Sequence, residues 1–361
     1  MLIHRLGITD VRNLRQVQLG ELAPINIFYG VNGSGKSSIL ESVHFLSLAK
    51  SFRSHKLNPI INHQADRCIV FGEVFSNDSV IPIGVQRSKK EGGLIKVSGK
   101  TLRSVSELAE FIPLQTINSD TFRLLEGSPS VRRQFLDWGV FHVEHRFHDV
   151  WKDTQRSLKQ RNTLLRHGKI DPQQLAVWNS ELVKNGVKLD SFRQHYFEQL
   201  IPIFEKTLNS LLQLEGLTVK YFRGWDKEKS LEVLLQENFL KEQEQGRTLS
   251  GPHRADIRIR YKGLNASEML SRGQQKLVVC ALRVAQGYLL GNVVGRKCVF
   301  LVDDLPAELD QEHRQALCHL LEEMDCQVFL TCVDHHDLDG CWSNNTKTKL
   351  FHVEHGQVRA A

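Results

Sequence analysis

One octapeptide close to the start of the chain restricts the possible folds more than any other feature. Residues 30–37 read Gly-Val-Asn-Gly-Ser-Gly-Lys-Ser and match the pattern G-x-x-x-x-G-K-[ST] at every position. The run Ile25–Tyr29 before them is typical of a short buried strand, and residues 36 to about 49 have the pattern of a helix. A strand, a glycine-rich loop and a helix in this order predict a phosphate-binding loop in an α/β fold.

The residue types in this loop suit a nucleoside triphosphate. Glycine tolerates positive φ, so successive backbone N–H groups can converge on one phosphate, and the helix N-terminus adds partial positive charge. Lys36 is expected to reach the β- and γ-phosphates of ATP, and Ser37 to bind Mg²⁺. The expected nucleotide-binding residues here are Gly30, Val31, Asn32, Gly33, Ser34, Gly35, Lys36, Ser37 and Ser38.

A second part of the site is expected far along the chain. Residues 298–302 form an apolar run, typical of a buried strand, and Asp303 and Asp304 follow directly. Ligands of α/β sheets bind at the carboxyl ends of parallel strands, so both carboxylates are expected to face the phosphates. Asp303 is the predicted second Mg²⁺ ligand, and Asp304 the group that orients or deprotonates the attacking water.

Residues 270–275 read Leu-Ser-Arg-Gly-Gln-Gln and resemble the L-S-x-G-Q signature of ABC-type ATPases. In that class the signature contacts the γ-phosphate bound by the opposite subunit. The resemblance therefore implies that Ser271, Gly273 and Gln274 complete the nucleotide site of another copy. A serine that merely caps a helix is the simpler alternative. The position of the motif just upstream of the acidic strand favours the signature.

Other positions agree with that class only in part. Gln115 stands where the class has a glutamine that senses the metal and the attacking water, and residues 307–310 follow the acidic pair as the D-loop does. Asp304 stands where most ABC-type ATPases have Glu, and its shorter arm predicts slow hydrolysis. Ala307 replaces the usual serine, and neither histidine of residues 335–336 matches a switch histidine with certainty.

Four more stretches carry a distinctive combination of residues: 12–14, 132–137, 222–226 and 250–256. Together with the signature they resemble one family closely over nearly the whole chain, the bacterial RecF recombination-repair ATPases, which are related to SMC-type proteins. The resemblance implies an ABC-type ATPase head, with a mixed sheet and helices, that carries an inserted helical lid and no long coiled coil. It also implies that Arg12 and Asn13 lie near the nucleotide.

The pattern along the chain agrees with a split ATPase domain. Residues 71–97 alternate and carry turn signals at Asn77-Asp78 and Gly92-Gly93, which predicts β-hairpins. Residues 121–245 have the texture of amphipathic helices, and strand character returns at Asp256–Tyr261. We expect an ATPase part over residues 1–120, a helical insertion over 121–246 and a second ATPase part over 247–361.

A basic stretch covers residues 151–169. Its basic residues are Lys152, Arg156, Lys159, Arg161, Arg166 and Lys169, against Asp153 alone. Lys152, Arg156 and Lys159 share one helix face, which could neutralise DNA phosphates without reading bases. A solvated helix face is the alternative, and the family resemblance favours DNA. The expected DNA contacts are Arg132, Arg133, Lys152, Arg156 and Lys159.

The resemblance implies an ATP-dependent DNA-binding protein of recombinational repair and replication-fork maintenance. ATP would drive head-to-head dimerisation, and slow, weakly DNA-stimulated hydrolysis would reset it. The expected site of action is single-stranded gaps or duplex junctions, with RecO and RecR, to promote RecA loading and the SOS response. Three other functions are possible alternatives. The motor subunit of a membrane transporter should have its signature soon after Gln115, whereas here Ser271 follows 156 residues later. A small-molecule kinase with a lid would not need residues 270–274. A purely structural nucleotide binder would survive loss of Asp304.

Composition excludes several other classes. Hydrophobic residues make up 41% and charged residues 24% of the chain, which excludes a disordered or collagen-like protein. Seven cysteines without a C-x-x-C pair indicate a reducing compartment and no zinc site. The start lacks a signal-peptide core, and the apolar residues 277–294 are interrupted by Arg283 and Gln286, so a cytoplasmic protein without a membrane span is expected. The net charge of +6 permits a polyanionic partner without identifying one.

Overall fold

The computed structural model describes residues 2–54, 56, 58–76, 79–166 and 170–361. The strands are β1 (Leu2–Val11), β2 (Leu14–Leu19), β3 (Ile25–Tyr29), β4 (Arg67–Ser76), β5 (Ser79–Ser88), β6 (Gly92–Val97), β7 (Lys100–Thr101), β8 (Leu114–Ile117), β9 (Leu217–Phe222), β10 (Asp256–Tyr261), β11 (Leu264–Asn265), β12 (Val299–Val302), β13 (Gln327–Cys332), β14 (Thr348–Glu354) and β15 (Gln357–Ala360). The α-helices are α1 (Lys36–Leu48), α2 (Val105–Phe111), α3 (Arg123–Glu126), α4 (Pro129–Val143), α5 (Phe147–Arg166), α6 (Pro172–Leu211), α7 (Leu231–Glu237), α8 (Phe239–Gln245), α9 (Ala266–Met269), α10 (Arg272–Val294), α11 (Leu305–Glu308) and α12 (Gln311–Glu323).

Two compact units divide the chain. Unit 1 comprises residues up to 121, residues 210–212 and residues from 276 onward, and unit 2 comprises residues 122–209 and 213–275. The first break falls one residue from the expected one. The second differs, because residues 247–275 belong to unit 2. The physical reason is strand pairing: β10 pairs with β9, and both strands lie in unit 2.

Unit 1 contains a six-stranded sheet in the order β15-β14-β3-β13-β12-β8. All pairings in it are parallel except the one between β14 and β15. The central strands β12 and β13 are buried along their whole length, as expected for a parallel sheet with both faces covered. Because β3, β12 and β13 run in the same direction, the residues that follow them meet at one edge of the sheet.

A second sheet in unit 1 is antiparallel, in the order β2-β1-β4-β5-β6-β7. It confirms the hairpins expected over residues 71–97. The turn signal Asn77-Asp78 lies outside the described residues, and Gly92-Gly93 begins β6. Helix α1 packs between this sheet and the parallel one, and a Cβ on Gly72 of β4 would lie 2.4 Å from the Leu46 side chain of that helix.

Helix α10 is long and apolar enough to cross a membrane by length and composition alone, and 67% of its most apolar window is buried inside the protein. Gln286, within that stretch, is fully buried and accepts a hydrogen bond from Gln115. These contacts are those of a core helix, as the interruption by polar residues indicated.

Unit 2 combines helices α3 to α9 with a three-stranded antiparallel sheet in the order β11-β10-β9. Strand β9 lies within residues 121–245, where the sequence pattern indicated helices only. Six residues are too few for their alternation to stand out beside the 40-residue helix α6. Buried ion pairs help hold the unit, notably Arg193 with Asp137 at 2.8 Å and Arg161 with Glu242 at 2.7 Å.

Candidate nucleotide-binding site

The glycine-rich loop lies between β3 and α1, as predicted, and its glycines at 30, 33 and 35 all have positive φ. Gly30 has φ 144°, and a Cβ at this position would lie 2.3 Å from the carbonyl oxygen of Val353. Gly35 has φ 122°, and its Cβ would lie 3.0 Å from Nδ2 of Asn13. Any other residue would be strained at both positions, and at Gly30 its Cβ would also clash with the backbone. This backbone geometry fits a loop whose N–H groups surround a phosphate.

Asn13 lies in the turn between β1 and β2, and its side chain holds the glycine-rich loop in place. Its Nδ2 donates to the carbonyl oxygen of Ser34 at 3.1 Å, and its Oδ1 accepts from Oγ of Ser38 at 3.0 Å. Neighbouring Arg12 makes two hydrogen bonds of 2.8 Å to the buried carboxylate of Glu41 in α1. That contact raises the pKa of Arg12. Both residues therefore position the loop and its helix, next to the place where a nucleotide would bind.

The donor set at the sheet edge fits Mg²⁺. Oγ of Ser37 lies 2.9 Å from Oδ1 of Asp303, and Oγ1 of Thr331 lies 2.7 Å from the same oxygen. Hydroxyl and carboxylate oxygens are the ligands that this ion prefers. Thr331 was not predicted from the sequence; it reaches the site because Leu330 of β13 pairs with Val302 of β12, which places Thr331 beside Asp303.

Asp304 has an unusual backbone. Its φ of 53° and ψ of 48° lie in the left-handed region, which aspartate visits more readily than most residues. Its N–H donates to Oγ1 of Thr331 at 2.8 Å. Burial raises the pKa of Asp304, the negative charge of Asp303 raises it further, and Lys36 opposes the shift. A strained, perturbed carboxylate at the sheet edge is typical of a reacting site.

Lys36 is a buried cation at the start of α1. Its Nζ donates to the carbonyl oxygens of Gly30 at 2.6 Å and Val31 at 3.0 Å. Burial lowers the pKa of Lys36, while the charges of Asp304, Cys332 and Asp303 act in the opposite direction. An amine held this close to the loop carbonyls is within reach of a phosphate bound by the same loop.

A cleft of about 720 Å³ surrounds these groups. It is lined by Arg12, Asn13, Asn32, Gly33, Gly35, Lys36, Ser37, Ser38, Arg53, Ser54, Pro59, Ile61, His63, Asp303, Asp304 and Thr331. Residues 53–63 had no pattern that pointed to the site. Arg53, Ser54, Pro59, Ile61 and His63 line it, and this segment is joined to the β1–β2 turn because the backbone N–H of Arg12 donates to the carbonyl oxygen of Ile60 and Asn62 donates to the carbonyl oxygen of Arg12.

Gln115 is placed differently from the prediction. It is buried in the middle of β8, its Oε1 accepts from Arg283 at 2.8 Å and its Nε2 donates to Gln286 at 3.0 Å, so it contacts α10 rather than the cleft. The placement does not support a metal contact by this side chain. Strand β8 ends at Ile117, whose carbonyl oxygen accepts a hydrogen bond from the N–H of Asp303, and Asn118 follows directly.

The signature motif lies at the start of α10. The N–H of Gln274 donates to Oγ of Ser271 at 3.3 Å, and the N–H of Ser271 donates to Oε1 of Gln274 at 3.0 Å. This reciprocal arrangement is a capping box, so the simpler reading of Ser271 as a helix cap is also correct. Ser271 and Gly273 are exposed, and nothing lies within 4 Å of a Cβ built on Gly273. Farther along, Lys276 forms an ion pair of 2.6 Å with Glu308 of the predicted D-loop.

Two of the expected DNA contacts are engaged inside unit 2. Arg132 forms an ion pair of 2.7 Å with Asp256, and Arg133 donates to the carbonyl oxygen of Ala255 at 2.8 Å. Burial lowers the pKa of Arg133. The ion pair holds the Arg132 guanidinium between α4 and β10, and a DNA contact by this side chain stays a prediction.

The helical stripe is placed as expected. Lys152, Arg156 and Lys159 are all exposed on α5. Arg161, counted in the same basic stretch, is fully buried against Glu242, and Lys169 lies outside the described residues. The basic stretch in the sequence thus contains exposed cations on one helix face and also a buried arginine that forms an ion pair inside unit 2.

Comparisons with known proteins agree over the full length. Residues 2–359 match the family model described as RecF/RecN/SMC N terminal domain. The "DNA replication and repair protein RecF" of Pseudomonas putida (strain GB-1) is 52% identical over 359 residues, which cover 99% of this chain and 98% of that protein. The protein of the same name from Pseudomonas aeruginosa (strain LESB58) is also 52% identical, and 97% of it is covered.

Solved structures show the same fold. The structure titled "Structure of the recombination mediator protein RecF-ATP in RecFOR pathway" has a TM-score of 0.87 at 23% identity, covering 99% of this chain and 97% of that one. An SMC head bound to the C-winged helix domain of ScpA has a TM-score of 0.59 at 13% identity, with 100% and 97% covered. Both likenesses concern the fold alone.

Proposed function

Since the chain belongs to the RecF family, we propose that it is an ATP-dependent DNA-binding protein of recombinational repair and replication-fork maintenance. The observation that carries the proposal is the single cleft in which Lys36, Ser37, Asp303 and Asp304 meet. These are a phosphate-binding cation, two oxygen ligands and a carboxylate with a raised pKa. Relatives at 52% identity bear the name of a DNA replication and repair protein, which supports the biological setting.

The proposed reaction is slow hydrolysis of ATP. When bound, ATP–Mg²⁺ supplies the phosphoanhydride that water cleaves. The loop N–H groups and Lys36 hold the phosphates, while Ser37 and Asp303 would hold the metal. Asp304 orients the water and accepts its proton, over a shorter side chain than glutamate would offer. This arrangement supports a weak ATPase that acts as a switch, and stimulation of its turnover by DNA is part of the proposal.

The nucleotide is proposed to control assembly. Ser271, Gly273 and Gln274 are presented at the start of a 23-residue helix, where an exposed N-terminus favours an anion. In a head-to-head dimer each signature would contact the γ-phosphate held by the other copy. Thermodynamics requires that ATP then bind the dimer more tightly than the monomer.

The proposed partners follow from the names of the relatives and from the exposed charge. A solved relative is described as a recombination mediator in the RecFOR pathway, which supports action with RecO and RecR at single-stranded gaps or duplex junctions. There the protein would promote RecA loading and the SOS response in the bacterial cytoplasm. Lys152, Arg156 and Lys159 are the proposed phosphate contacts on α5.

The test is the size of the protein in solution, with and without ATP–Mg²⁺, followed by addition of gapped DNA. Ser271→Arg should abolish ATP-dependent dimerisation and reduce DNA binding, because an arginine would fill the space of the γ-phosphate contact. Ser79→Arg adds the same side chain on exposed β5 and should leave both properties unchanged. If Ser271→Arg dimerises with ATP like the unmodified protein, the composite-site mechanism is wrong.

A further inference from the structure

Unit 2 has a second basic surface that the α5 stripe does not include. Strands β9 and β10 pair in antiparallel register, with Lys220 directly opposite Arg258 and Thr218 opposite Arg260. Residues directly opposite in such a pair project from the same face of a sheet. The side chains of Lys220, Arg258 and Arg260 are exposed, while Ile257 and Ile259, which alternate with the two arginines along β10, are buried. We call the three cations the β9–β10 basic face.

The charges on this face repel one another. Like charges directly opposite in an antiparallel pair are destabilising, and Lys220 and Arg258 are such a pair. Within the described ranges no carboxylate forms an ion pair with Lys220, Arg258 or Arg260. Asp256 projects from the same face, but Arg132 engages both of its oxygens at 2.7 and 3.1 Å. A local arrangement of like charges that no ion pair neutralises is expected where a function requires it.

A cleft of about 540 Å³ continues the face. Arg258 lines it together with Arg133 and Arg254, and its guanidinium lies 4.0 Å from the ring centre of Phe222. That ring contact fixes the guanidinium plane without neutralising its charge. His253 also lines the cleft, and burial lowers its pKa to about 4, so the imidazole is neutral at physiological pH. The cleft therefore keeps its positive charge through arginine alone.

The spacing of the cations fits a polymer of phosphates better than a single small anion. Arg258 and Arg260 are two residues apart on one strand, which is about 6.8 Å. Neighbouring phosphates of one nucleic-acid strand are separated by one nucleotide of backbone, a distance of the same order, so consecutive phosphates can meet the two guanidinium groups. The cleft at Arg254 extends the array beyond the strands. An extended row of cations whose one acidic neighbour, Asp256, is engaged by Arg132 matches a sugar–phosphate backbone.

We propose that the β9–β10 basic face, continued by Arg254, binds the phosphodiester backbone of a nucleic acid. The inference rests on the proposed DNA-binding function and assigns it a surface of its own in unit 2. The contacts are with phosphates, so this surface sets affinity and position, and it reads no base sequence.

The experiment measures DNA affinity by fluorescence anisotropy across a salt series, with ATP–Mg²⁺ and a labelled gapped duplex. Each lost phosphate contact should make the slope of log K against log salt less steep by about 0.9. The variant Lys220→Gln/Arg258→Gln/Arg260→Gln should therefore change the slope by about 2 to 3 and bind more weakly. Lys89→Gln/Lys96→Gln/Lys100→Gln removes the same net charge from exposed positions of unit 1 and should leave the slope unchanged.

Two further variants separate charge from folding. Arg258→Lys/Arg260→Lys keeps the charges and should retain the slope of the unmodified protein. Arg260→Gln alone should change the slope by about 0.9 even if the triple variant fails to fold. An unchanged slope in a folded triple variant that still binds ATP overturns the proposal. In that case the face would not contact DNA, and an acidic protein partner would be the remaining explanation for its charge. If the unmodified protein binds no DNA at all, the proposed function fails instead.

Discussion

At the sheet edge, a strained backbone and burial set the properties of individual residues, above all the pKa of Asp304. Asp304 adopts a left-handed backbone, and its N–H and the Asp303 carboxylate share one hydroxyl, that of Thr331. The two carboxylates are thus fixed close together, which raises the pKa of Asp304 in addition to the effect of burial. Strain and repulsion of this kind persist only where surrounding contacts compensate for them.

Asp304→Asn should therefore change stability in a pH-dependent way. A raised pKa in the folded state means that the folded protein binds this proton more tightly than the unfolded chain does. The stability contributed by the protonated form is complete below the pKa of the unfolded chain and is lost as pH rises through the raised value. Without nucleotide, Asp304→Asn should be more stable than the unmodified protein at pH 7, and the difference should disappear in acid.

Urea unfolding at several pH values measures this effect, and Asp66→Asn, at an exposed carboxylate, is the control. The same Asp304→Asn variant should bind ATP but hydrolyse it about 100-fold more slowly or worse, because the proton acceptor is lost. A variant that is less stable at pH 7, or that keeps its turnover, would contradict the assigned role of the carboxylate.

At the scale of secondary structure, helix α5 has two faces with opposite roles. Its exposed face carries Lys152, Arg156 and Lys159. On its buried face Arg161 pairs with Glu242 and donates to Oγ1 of Thr248 at 2.7 Å. Helical geometry separates the two groups around the axis although they are neighbours in sequence.

The buried pair should be costly to break on one side only. Arg161→Met leaves Glu242 buried without its cation and should lower the free energy of unfolding by about 3–5 kcal/mol. Arg161→Met/Glu242→Leu removes both charges and should recover most of that loss. Urea unfolding of Arg161→Met, Glu242→Leu and the double variant gives the coupling free energy between the two side chains. Additive losses would show that the two side chains do not act as a pair.

The exposed face should contribute to DNA affinity. Arg156→Glu/Lys159→Glu should weaken binding and reduce the salt dependence, because two phosphate contacts become repulsive. Lys184→Glu/Lys188→Glu places the same changes at exposed i, i+4 positions of α6 and serves as the matched control. Equal effects of the two variants at every salt concentration would remove the α5 stripe as a specific contact.

For the whole molecule, the distribution of functional groups between the units matters most. The phosphate-binding loop and the acidic pair lie in unit 1, and Ser271 to Gln275 lie in unit 2, although helix α10 continues from one unit into the other. If another copy completes the site, nucleotide binding and dimerisation are linked and each must strengthen the other by the same factor.

This linkage gives a prediction that needs no DNA. The apparent affinity for a non-hydrolysed ATP analogue should rise with protein concentration, by a factor in the range of about 5 to 150. Ser271→Arg should keep the affinity of the dilute protein and lose the concentration dependence. An affinity that is the same at every protein concentration would mean that ATP does not favour the dimer.

Sequence patterns alone were enough to predict the α/β class, the loop at residues 30–37 with its flanking strand and helix, and the acidic pair Asp303-Asp304. These features are local, because glycine placement and apolar periodicity act over a few residues. Three contacts became known only from the tertiary structure: that of Gln115 with α10, that of Arg132 with Asp256, and that of Thr331 with Asp303. The tertiary structure also decided that residues 247–275 belong with the inserted unit. Such outcomes depend on which strands pair across long stretches of chain, and no local pattern specifies that pairing.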